Sequence, residues 1–329
     1  MRKLLFGLLL LLGVFLLLAS LTEVEAIVGT LQHGDWRFIA LAVGVEAIWI
    51  LNVAASYRAI FSALDLEDRF SNLLLVAGAV NFANVVAPSA GMGGVAIFVS
   101  EARRHKYSPA RATVAGALYV LLDYAGFLCV LSLGLVVLLR RHTLTAPELS
   151  ATGILLVIAT FLGALLYMGM RSTTELGNFL AWMARQVNRL VRLITQRDYL
   201  SEQRAHEFAA DAAQGLAELH RNTGNLFLPA ALALTNKALL ISVLLLVFLA
   251  FNVPLSIGTL IAGFSIGYLF LIVSPTPSGI GFVEGALTLA LGSMYVPLGA
   301  AAVITLAYRG ITFWLPLAYG GFALRMLHR

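Results

Sequence analysis

Charge is scarce in this chain. Asp, Glu, Lys and Arg make up 12% of its 329 residues, where a soluble domain carries about a quarter, and the mean hydropathy is +0.89. Apolar runs of helical length, not short alternating segments, carry that hydropathy. The composition therefore defines an all-α polytopic membrane protein, since helices satisfy their own backbone groups in hydrocarbon. Cysteine occurs once, at Cys129, which excludes an internal disulfide and a Cys-rich metal site. All six histidines (His33, His105, His142, His206, His220 and His328) lie in loops or at segment ends. No imidazole is thus available within the membrane for metal or acid–base chemistry. A phosphate-binding P-loop is missing, which argues against ATP hydrolysis. One G-x-S-x-G match, Gly263 to Gly267, falls mid-span with no strand before it and reads as chance. These absences lead us to expect no enzyme activity, no metal, no cofactor and no nucleic-acid partner. The net charge of +5 fits basic loops facing anionic lipid.

The apolar runs give the organisation. Residues 4–21 follow Met1-Arg2-Lys3 and are long for a signal peptide, with a poor cleavage site, so they read as a first span. The loop 22–35 holds Glu23, Glu25 and Asp35 and no basic residue, as an external loop would. A second span covers 36–57, with Trp36 and Tyr57 as interfacial anchors. Further spans are expected at 110–139, 152–170, 226–251 and 297–324. Residues 171–223 form the sizeable polar region of the chain. Leu176, Leu180, Met183, Val187, Leu190, Val191 and Ile194 recur there at helical spacing, beside a stripe of Arg185, Arg189 and Arg192. The region reads as a cytoplasmic amphipathic insertion between two halves of a single domain covering 1–329, its apolar face toward the leaflet.

Two stretches interrupt the apolar pattern. Pro275-Thr276-Pro277-Ser278-Gly279-Ile280-Gly281-Phe282-Val283-Glu284 cannot continue a helix, because proline lacks a donor and glycine loosens the backbone. Residues 87–95 contain a second break with Pro88, Gly91, Gly93 and Gly94. Backbone groups freed in hydrocarbon cost several kcal/mol each unless protein or water satisfies them, so both breaks are expected to be re-entrant helix hairpins facing a cavity. The expectation is six full spans and two hairpins. A shift of 187 positions lays Val86, Pro88, Ser89 and Gly94 on Val273, Pro275, Thr276 and Gly281. Pro/Gly breaks in corresponding halves indicate an inverted repeat with a midplane site.

Orientation follows from the basic residues. With both hairpins returning to their side of entry, the N-terminus, loops 58–69 and 101–111, region 171–223 and the C-terminus share one side. They hold 17 of the 22 Lys and Arg, which makes that side cytoplasmic. Arg140-Arg141 breaks the rule. Charges inside spans are costly and mark function by default. Glu284 is placed to carry a proton or bind a cationic headgroup. Arg309 lies 34 residues after Pro275 and Asp123 lies 35 after Pro88, so these two are expected to pair with each other or to exchange partners with Glu284. A static pair that only fixes geometry is the bland alternative. Lys237 and Glu46 are further candidates that would snorkel or pair locally. Helix N-termini at 91–95 and 279–282 suit an anion such as a lipid phosphate. Arg103 and Arg104 at the cytoplasmic mouth would add attraction, or merely follow the positive-inside rule.

Several motifs together resemble a known family. They are Asn81 through Pro88 with Gly94; Leu121-Leu122-Asp123; Pro275-Thr276-Pro277 with Gly279, Gly281 and Glu284; and Tyr308-Arg309 with Trp314-Leu315-Pro316. The chain resembles, over essentially its whole length, the transmembrane flippase domain of lysylphosphatidylglycerol synthases. It departs at Val95, where members commonly carry an acidic residue, and at Ser278, where they often carry Gly. The resemblance implies lipid translocation between leaflets of a prokaryotic inner membrane, or help in moving anionic or aminoacylated phospholipid, polyprenyl or hopanoid lipids. No aminoacyl-transferase domain accompanies it here. A flippase or scramblase is the leading expectation. The competing ones are a partner or subunit of a lipid-modifying enzyme and a small-solute transporter.

Overall fold

The computed structural model describes residues 29–86, 92–105, 107–195, 202–221, 226–274 and 276–327. In chain order its helices are α1 (Trp36–Ala63), α2 (Phe70–Val86), α3 (Met92–Arg104), α4 (Pro109–Arg140), α5 (Ala146–Arg171), α6 (Thr173–Thr195) and α7 (Glu202–Arg221). Then follow α8 (Phe227–Ala250), α9 (Ile257–Val273), a 3₁₀ turn (Pro277–Gly279), α10 (Phe282–Ser293), α11 (Leu298–Arg309), a π-helical turn (Gly310–Trp314) and α12 (Leu315–Leu327). No strand occurs among the described residues. Five helical runs are long and apolar enough to cross a membrane: α1, α4, α5, α8 and the continuous stretch Leu298–Leu327. They fall on five of the six expected spans, and the first, 4–21, lies outside the described residues. The helices flanking the breaks are shorter. At 17 residues, α2 and α9 reach only about 25 Å, less than the ~30 Å hydrocarbon core. Each packs against the helix that follows its break, α2 on α3 and α9 on α10.

Helix starts are written locally. Asp35 accepts from the Arg37 N–H before α1, Ser108 caps α4 with Pro109 at its first position, and Ser256 accepts from Thr259 N–H before α9. Thr145 and Glu148 form a capping box at α5. Each offsets backbone donors that a helix leaves unpaired. Arg141 donates to Ser256 Oγ at 2.9 Å and Thr259 Oγ1 at 3.2 Å. It therefore ties the end of α4 to the start of α9, a structural role for one of the two arginines that depart from the expected charge distribution.

The expected end of the second span needs correcting. Helix α1 continues through Arg58 to Ala63, so Tyr57 is no interfacial anchor. It is 2% exposed, packed edge-on to Phe98 and Tyr119. Trp36 remains largely exposed.

Two apolar cores divide the molecule. One gathers the second half of α4 with α8, α9, α10 and α11; the other gathers the end of α1 with α2, α3, the first half of α4 and parts of α5, α6, α7 and α12. Helix α4 runs through both, and Asp123 lies between Leu118 of one core and Tyr124 of the other. Close approach of α2 and α12 depends on Gly320, where an added Cβ would lie 2.5 Å from the Gly78 carbonyl oxygen. Tyr319 adds a hydrogen bond to the Leu74 carbonyl.

The polar region folds as α6 and α7 packed together. The first residues of its apolar stripe are covered by protein, and the side chains of Val187, Leu190, Val191 and Ile194 lie outside the described residues. Leu176, Ala181 and Ala184 are buried, and Leu180 adjoins the core containing Leu216 and Ala212 of α7. An amphipathic helix with an alanine-rich partner buries its stripe on that partner first. Trp182 and Arg189 on the opposite side stay exposed.

Candidate functional site

The second break satisfies much of its own backbone. Ser274 Oγ accepts from Thr276 N–H at 3.1 Å, Gly279 N–H donates to Thr276 O, and Thr276 Oγ1 donates to Ile280 O at 3.0 Å. The chain then turns through three left-handed residues: Ser278 at φ 48°, Gly279 at 74° and Gly281 at 77°. Glycine takes such angles freely. At Gly279 a Cβ would also strike Val283 Cγ2 at 2.3 Å. Pro275 lies outside the described residues; Pro277 begins the 3₁₀ turn.

This turn delivers one ion pair. Arg309 Nε donates to Glu284 Oε1 at 2.5 Å and Nη2 donates to the Ser278 carbonyl at 2.9 Å. The guanidinium carbon lies 4.6 Å from the centre of the Phe313 ring, a cation–π contact that the π-helical turn after Arg309 allows. Glu284 Oε2 is buried with no hydrogen-bond partner among the described residues.

A second ion pair crosses the seam between the cores. Lys237 Nζ donates to Asp123 Oδ1 at 2.6 Å and to the Tyr268 hydroxyl at 2.6 Å. Tyr268 donates in turn to Asp123 Oδ2 at 2.9 Å, and Asn236 Nδ2 to Oδ1 at 3.3 Å. The ammonium also sits 4.0 Å from the centre of the Tyr268 ring. Lys237 is wholly buried. A buried lysine is tolerable only with a counterion and satisfied donors, and α4, α8 and α9 supply both.

The candidate charges therefore pair differently from expectation. Asp123 and Arg309 do not pair with each other: each has its own partner, Lys237 and Glu284. Lys237 does not snorkel. Glu46 makes no local pair among the described residues; it is 1% exposed and both its oxygens lack partners there.

At the first break, Gly94 N–H donates to Asn84 Oδ1 at 2.8 Å, so that donor is already taken, and a Cβ on Gly94 would meet Val80 Cγ1 at 2.5 Å. Gly93 lies in α3; Pro88 and Gly91 lie outside the described residues. Arg104 donates to the Leu327 carbonyl and approaches Glu101 at 4.0 Å, with its side chain half exposed. Arg103 is on α3, and its side chain is outside the described set.

A cavity of about 530 Å³ joins these parts. Its wall includes Asp123, Tyr268, Ser278 and Arg309, with Asn81 and Asn84 of α2. Ile154 of α5 also lines it and is 51% exposed among the described residues. Tyr268, Asn236 and the Ser278 carbonyl were not singled out from the sequence. A buried lysine with no acidic residue within four positions signals a distant partner, but does not name it.

A bundle of apolar helices with a charged, cavity-lining centre is a helical membrane protein. Residues 4–320 match the family described as the lysylphosphatidylglycerol synthase TM region. The chain belongs to that family. No curated protein matches it.

Proposed function

We propose that this protein moves a polar or modified lipid between the leaflets of a prokaryotic inner membrane, with no bond-making chemistry of its own. The observation that carries the reading is the cavity wall. It brings Arg309 and Asp123 together with the half-exposed Ile154 of α5. A headgroup entering beside α5 meets fixed polar groups while its acyl chains stay among lipids. Arg309, which lines the cavity and is held in place by Glu284, faces the headgroup phosphate. The two short-helix pairs act as re-entrant hairpins of an inverted repeat, the region 171–223 is cytoplasmic, and both termini face the cytoplasm. Anionic, aminoacylated, polyprenyl and hopanoid lipids are the substrate classes to try.

The test is a leaflet assay. Purified protein in liposomes is offered headgroup-labelled anionic, zwitterionic and aminoacylated lipids. Movement above protein-free vesicles that falls on Glu284→Gln or Arg309→Lys substitution supports the reading. A well-folded sample that moves none of them defeats it. The family name points to a second reading, a membrane partner of a lipid-modifying enzyme; co-purification of a soluble transferase with no lipid movement would favour that one.

A further inference from the structure

Glu46 has no role in either ion pair, yet it is the most exacting side chain in the membrane part of the molecule. It lies mid-way along α1, 1% exposed, with neither carboxyl oxygen hydrogen-bonded among the described residues. An isolated carboxylate in an apolar wall is costly, and such acidic groups inside spans mark proton or ion pathways. Among the described residues the surroundings offer it no permanent counterion. Helix α1 packs on α2, α4, α8 and the π-helical turn. Helix α2 and the π turn contain no titratable residue. From α8 comes Lys237, held by Asp123 of α4 and Tyr268. The other titratable groups of α4 are Arg111, Tyr119, Tyr124, Cys129 and Arg140. Just before the π turn come Arg309, held by Glu284, and Tyr308, buried on α11.

Tyr308 and Trp49, one turn along α1, both line the cavity. Glu46 is thus one wall residue away from the space assigned to the headgroup. A single carboxyl offers too few oxygens for a metal ion, which takes about six. We infer that Glu46 is a proton-binding site that exchanges with the cavity past Tyr308 and couples transport to a proton gradient. The carboxyl gains the proton when the cavity faces the acidic side and returns it when the cavity faces the other, with no covalent step.

The site itself is measurable without transport; the coupling rests on the translocase reading. Infrared difference spectra of the purified protein in nanodiscs, taken between acidic and alkaline pH, are expected to show a protonated-carboxyl C=O band. That band disappears in Glu46→Gln and persists, displaced, in Glu46→Asp. Identical difference spectra for wild type and Glu46→Gln overturn the proton site. In liposomes, a pH gradient is expected to bias lipid movement in wild type and to lose that bias in Glu46→Gln, with movement at equal pH retained. Wild-type movement indifferent to the gradient overturns the coupling and leaves the translocase reading standing. Failure of all lipid movement defeats that reading, and the coupling with it, while the infrared band still decides the site.

Discussion

Ser278 sits at φ 48°, an angle that costs a residue with a Cβ about 1–2 kcal/mol relative to ordinary helix. Its carbonyl faces Arg309, so the strained turn positions an acceptor for the guanidinium. Ser278→Gly is expected to raise thermal stability by about 1 kcal/mol, partly offset by the greater freedom of the unfolded chain; a thermal melt in detergent reads it. The buried pairs make a sharper case. Lys237→Met strands Asp123 in the interior and should cost about 3–5 kcal/mol, while adding Asp123→Asn should restore most of it, because the penalty belongs to the unpaired charge. Denaturation of the two single variants and the double variant measures the coupling. A small Lys237→Met effect would place water at that carboxylate.

At the scale of elements, the two breaks are fastened by different means. The second relies on Ser274, Thr276 and left-handed glycines, all local. The first relies on contact between its own helices, Asn84 to Gly94. Gly94→Ala is expected to destabilise by ~1–3 kcal/mol through overpacking against Val80. Val80→Ala in the same chain should recover part of the loss, as thermal melts of both would show. The contrast explains what was legible beforehand. Spans and breaks follow from hydropathy and from Pro/Gly chemistry, which act over a few residues. Glu284, Arg309, Asp123, Lys237 and Glu46 stood out because charge in an apolar run is costly. Their partners did not, since Asp123 and Lys237 are separated by 114 positions and meet only through the packing of α4 on α8. Tyr57 was misplaced for a related reason: hydropathy drops at Arg58, but the helix follows its packing to Ala63.

For the whole molecule, the proposed route of a headgroup into the cavity passes beside α5. After Cys129→Ser removes the native thiol, a fluorophore on Ile158→Cys, which lines the cavity from α5, should be quenched by lipids brominated along their chains. One on Val53→Cys, which lines it from α1 and is 4% exposed, should be spared. Equal protection of both would mean that α5 seals the cavity from lipid.

The pairing of charges also has an electrical consequence. Asp123 is matched by Lys237, and Glu284 by Arg309, so the centre of the bundle carries neutral couples that travel together. A charge that crosses the whole membrane gains or loses about 2.3 kcal/mol per 100 mV, but a couple moving as a unit gains nothing. The voltage across the membrane therefore exerts no net force on either couple. A charged headgroup feels it, and so does the Glu46 carboxyl once it has given up its proton.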